Sequence, residues 1–74
     1  MPDIKHTLPE NLLHYRKAAG FTQEQLAERL GTTQHTYSRW ETGVCTPSIQ
    51  QLTRIAFMFG VTVDDLLAER KEGA

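Results

Sequence analysis

Apolar residues recur along this chain at three- and four-residue intervals, the period of a helix face, and alternate as a half-buried strand would over no stretch longer than about four residues. Five short segments carry the pattern. The first is expected from Thr7 to Ala19. There Thr7-Leu8-Pro9-Glu10 reads as a capping box with proline in the first turn, Leu8, Leu12, Tyr15 and Ala19 share one face, and Gly20 closes the helix. The second opens on Thr22-Gln23-Glu24-Gln25, a capping-box pattern again, turns Leu26, Ala27 and Leu30 inward, and stops at Gly31. The third starts at Thr32 or Thr33, runs through Glu41 and ends at Thr42-Gly43. In the fourth, Thr46 caps, Pro47 takes the first helical position, and Leu52, Ile55, Ala56 and Phe59 form the inward stripe up to Gly60. The fifth, Val63 to Ala68, is capped by Thr62 and supplies Leu66 and Leu67. The expected class is all-α, a compact five-helix bundle over residues 8–69, with 1–7 as a short arm and 70–74 as a charged tail.

The second and third segments are joined by only three residues, Gly31-Thr32-Thr33. So short a connection forces the two helices to cross steeply and asks for a small residue where they touch, which Ala27 provides. Gly31 supplies the left-handed backbone such a turn needs. Leu26, Leu30, Tyr37 and Trp40 then hold the pair together from inside. Period and spacing therefore predict a helix-turn-helix at the centre of the bundle.

Composition narrows the function classes. With 74 residues, 39% of them hydrophobic and 23% charged, the chain suits one small globular domain. No apolar run reaches membrane length, and the first ten residues hold no signal-like stretch, so neither membrane insertion nor secretion is expected. A lone cysteine, Cys45, forms no internal disulfide and fits a reducing cytoplasm. Nothing basic flanks it to make it a reactive thiol. His6, His14 and Cys45 lack the spacing of metal ligands, and no nucleophile–base pattern or phosphate-cradling glycine loop is present. No enzyme, cofactor, metal or small-molecule site is expected. A net charge of −1 argues against binding polyanions by bulk charge, so any nucleic-acid contact must come from local arrangement.

The third segment has such an arrangement. With Tyr37 and Trp40 turned inward, Gln34, His35, Ser38 and Arg39 form a contiguous outward face. Glutamine pairs bidentately with adenine and arginine with the O6/N7 edge of guanine, while histidine donates to a guanine acceptor. These four are the candidate base-reading residues. Thr33 and Thr36 offer hydroxyls to the DNA backbone; further backbone contacts are expected from Gly43 in the loop after the third segment, through its N–H, and from Ser48 at the start of the fourth.

Residues 12–67 resemble the phage repressor/Cro-type (XRE-like) helix-turn-helix family of transcriptional regulators. The resemblance is carried by Tyr15-Arg16, Gly20-Phe21-Thr22-Gln23, Leu26-Ala27, Leu30-Gly31, Tyr37-Ser38-Arg39-Trp40-Glu41, Gly43, Pro47, Leu52, Ile55-Ala56 and Gly60-Val61. It implies a lambda repressor-like fold and double-stranded DNA as the partner. It also implies a phosphate contact from Gln23 beside a helix N-terminus, and an internal ion pair between Arg16 and Glu41. One departure stands out: Thr42-Gly43-Val44-Cys45-Thr46 carries no lysine or arginine, where DNA-binding relatives often do. A monomer would then bind weakly. Phe57, Met58 and Val61 are the candidate interface of a two-fold homodimer that would place two reading helices on a palindrome. The expected function is a dimeric repressor. The alternative is an antitoxin-like module that binds a second protein partner.

Overall fold

The computed structural model describes residues 4–69. Among these it has five helices and no strand: α1 (Ile4–Ala18), α2 (Gln23–Leu30), α3 (Gln34–Glu41), α4 (Ile49–Phe59) and α5 (Val63–Leu67). The all-α five-helix class expected from the periodicity is therefore the observed one. Helix α1 packs on α3 and α5, α2 on α3 and α4, and α4 on α5. All five helices contribute to one core: Leu8 and Leu12, then Leu26, Ala27 and Leu30, then Tyr37 and Trp40, then Leu52, Ile55 and Ala56, and finally Leu66. Tyr37 and Trp40 meet edge to face, with ring centroids 5.9 Å apart.

Two helix starts differ from the sequence expectation, each for a packing reason. Helix α1 begins at Ile4, so residues 4–7 are helical rather than an arm, and Pro9 lies inside the helix. Thr7 is buried beside Leu8 and is no cap. Burial of Thr7 and Leu8 offsets the one backbone hydrogen bond that Pro9 removes. Ala19, expected on the inward face, lies beyond the helix and is exposed. Helix α4 is capped by Ser48, whose Oγ accepts from the Gln51 amide at 3.2 Å, and not by Thr46. The residue before a proline is held extended, and Pro47 is then free to bury itself ahead of the cap. Residues 1–3 and the expected tail at 70–74 lie outside the described residues.

The short α5 is held from within. Asn11, buried on α1, donates through Nδ2 to the carbonyls of Leu66 and Ala68, each at 2.8 Å. These carbonyls end a helix and have no partner of their own inside it, so the amide does the work of a C-cap from across the core.

Candidate nucleic-acid interface

The α2–turn–α3 unit is set by its caps. Thr22 and Gln25 form a complete capping box at the start of α2. Gly31 ends the helix at φ 72°, in the left-handed region, and its successor Thr32 donates its amide to the Ala27 carbonyl at 3.0 Å. Thr33 then caps α3 by accepting from the Thr36 amide at 3.1 Å. Ala27, fully buried, sits at the contact. With Tyr37 and Trp40 locked in the core, the rotation of α3 is fixed. Gln34, His35 and Arg39 are exposed and Ser38 is half-buried on the opposite side. Gln34 and Ser38 are one turn apart, as are His35 and Arg39, so the four share one stripe. The side chains of Gln34, His35 and Arg39 make no hydrogen bond or ion pair among the described residues, leaving their donors available.

The residues expected at the DNA backbone divide. The Thr33 hydroxyl is occupied: it accepts from the Thr36 amide and donates to Thr36 Oγ1 at 3.0 Å. That leaves the Thr36 hydroxyl proton as the one to give outward. Ser48 Oγ is likewise used as a cap. Gly43 adopts φ 82° in the turn after α3, and its amide donates to the Trp40 carbonyl at 3.3 Å. Thr42, Val44 and Cys45 also turn their amides back onto α3 carbonyls.

Gln23 is the residue whose surroundings the sequence did not reveal. Its Nε2 donates to Glu41 Oε1 at 3.0 Å, joining the ion pair between Arg16 and Glu41. Arg16 grips Glu41 in a fork, Nε to Oε2 at 2.6 Å and Nη2 to Oε1 at 3.2 Å, and its Nη1 donates to the Phe21 carbonyl at 2.8 Å. The two side chains are only 12% and 5% exposed. Burial by itself would push the Glu41 carboxyl up, but hydrogen bonds from Arg16 and Gln23 outweigh it and hold it below the usual carboxylate value. The bond to Glu41 likewise raises Arg16. Tyr37 lies beside this pair; burial, then the Glu41 charge, pushes its phenol far above the ordinary range. Its hydroxyl is buried without a hydrogen-bond partner among the described residues. The network thus ties the end of α3 to the end of α1, the α1–α2 turn and the first residue of α2.

On the far side, Phe57 is 83% exposed. Met58 and Val61 are half-buried and pack on the core, so they serve the monomer as well as any interface. No cluster of three or more His, Cys, Asp or Glu residues able to hold a metal occurs among the described residues, and none of the described helices is long and apolar enough to cross a membrane.

A helix-turn-helix family model matches residues 12–66, and the chain belongs to that family, of the XRE-like type. Within it, the chain is 41% identical over 59 residues to the HTH-type transcriptional activator BcrR of Enterococcus faecalis, covering 80% of this chain and 29% of that protein. It spans about half the length of several other curated regulators it matches. Its fold is similar to the hypothetical transcription factor NHTF from Neisseria, with TM-score 0.85 and 26% identity over 95% of this chain and 80% of that one. It is also similar to part of hydroxypropylphosphonic acid epoxidase from S. wedmorenis, with TM-score 0.80 and 28% identity, covering 92% of this chain but 36% of the epoxidase.

Proposed function

We propose that this chain is a sequence-specific regulator that binds double-stranded DNA with α3 in the major groove. The observation that carries the reading is the stripe of Gln34, His35, Ser38 and Arg39 on a helix whose other face is locked by Tyr37, Trp40 and the Arg16–Glu41–Gln23 network. An unpaired polar face on an immobilised helix is what direct readout of base edges requires. Gln23, which opens α2 and keeps its amide oriented by Glu41, and Thr36, with a hydroxyl proton to give, are the proposed phosphate contacts. Thr33 and Ser48 act there through the amides they leave at the helix starts. The family's regulator names favour this role over an enzymatic one, and the epoxidase shares the fold over only a fraction of its length. The protein is proposed to work in the cytoplasm, as a homodimer built on Phe57, Met58 and Val61, on a palindromic operator. Repression is the simpler sign of control because occluding a promoter needs only the DNA face.

A second reading, an antitoxin-like module that neutralises a protein, is favoured by the uncharged loop from Thr42 to Thr46. Binding of the double variant Gln34→Ala/Arg39→Ala to duplex DNA separates the two. Both side chains are exposed and unpaired, so the variant keeps its melting temperature. Loss of sequence preference supports the DNA reader; unchanged binding overturns it.

A further inference from the structure

Between α2 and α4 runs a groove of about 370 Å³, lined by Arg29, Leu30, Thr53, Arg54, Phe57 and Met58. Its floor is apolar: Leu30 is buried and Met58 packs on the core. Its rim carries two guanidinium groups, and neither has an ion-pair partner among the described residues. Arg29 is steadied over the Phe21 ring, 5.9 Å from its centroid. Neither arginine lies on α3, so neither takes part in the proposed base readout. In a chain of net charge −1, two unpaired cations beside an exposed phenylalanine are a local reversal of sign.

We propose that this groove docks an acidic amphipathic helix of another protein, with apolar side chains on Phe57 and the exposed part of Met58 and carboxylates on Arg29 and Arg54. Apolar burial supplies the attraction, and the two guanidiniums select carboxylates through paired, charge-assisted hydrogen bonds. A second copy is the poorer occupant. Meeting the groove face to face across a two-fold axis, it would set its own two arginines against these. A copy docked on Phe57, Met58 and Val61 uses the C-terminal end of α4, whereas Arg54 lies a turn earlier and Arg29 lies on α2. The acidic helix and the second copy share Phe57 and Met58, so they compete there.

The test is a titration of the whole chain, followed by amide NMR shifts, with a synthetic helical peptide carrying Leu and Glu four residues apart. The expected shifts centre on Arg29, Thr53, Arg54 and Phe57, and affinity falls at least tenfold when the peptide's Glu residues become Gln. The same loss is expected with Arg29→Ala/Arg54→Ala, both at exposed positions, while binding to duplex DNA is unchanged. Equal affinity for the Gln peptide overturns the proposal, as do shifts centred on the Arg29 and Arg54 amides on raising protein concentration with no peptide present. Loss of DNA binding in the double arginine variant also overturns it, by assigning the arginines to DNA.

Discussion

At Arg39 no group among the described residues takes a hydrogen bond or ion pair from the guanidinium, and His35 lies one turn back on the same stripe. In the proposed function a side chain so placed reads one base pair, and the alternative of holding one phosphate differs in measurement. Arg39→Ala is expected to relax specificity at a single position at a cost of about 1–3 kcal/mol. Uniform weakening on every sequence would make it a phosphate contact instead. Arg16 is the opposite case, an arginine used inside. Removing it leaves Glu41 buried with Gln23 as its remaining partner, so Arg16→Ala should destabilise by about 3 kcal/mol. In a double-mutant cycle with Glu41→Ala, the two costs should fail to add; coupling below about 0.5 kcal/mol would deny the pair. The pH dependence follows in sign. Because Glu41 is held below its ordinary value, the unfolded chain takes up that proton first as pH falls. The pair's contribution is therefore full above the unfolded value of about 4.3 and is lost as pH drops through the lower folded one. Acid unfolding of Glu41→Gln should be flatter than that of the unaltered protein below about pH 4; equal slopes would contradict the assignment.

At the scale of elements, the helices were legible where local chemistry alone decides them. Thr22, Thr33 and Thr62 cap as their sequences suggest, and Gly31 and Gly60 end helices in the left-handed region. The starts of α1 and α4 were not. Thr7 and Thr46 are good caps in isolation, but burial of Thr7, Leu8 and Pro47 decides the outcome, and that depends on partners far along the chain. The same holds for Asn11, whose contacts lie 55 and 57 residues away, and for Gln23, whose partner Glu41 belongs to another helix. Period identified the inward face of α4, and exposure now singles out Phe57 from its neighbours Met58 and Val61. Phe57→Glu is expected to fold and to sediment as a monomer with weaker operator binding. An unchanged dimer, or a monomer already in the unaltered protein, would remove Phe57 from the interface.

For the whole molecule, fold and charge pull in different directions. The fold presents α3 with an exposed polar stripe, yet from Thr22 to Gly43 there are two arginines against three glutamates, and the turn after α3 spends its amides on α3 carbonyls. In the proposed binding mode few phosphates are neutralised, so affinity comes from base contacts, hydroxyls, helix starts and a second subunit. Each phosphate contact contributes about −0.9 to the slope of log K against log salt, which makes a shallow slope the expected signature. Selection of bound duplexes from a random pool, repeated at two salt concentrations, tests the account most directly. An enriched palindrome with half-sites about ten base pairs apart, retained at the higher salt, is the predicted result. A pool that stays random, with only weak binding that salt abolishes, would contradict it.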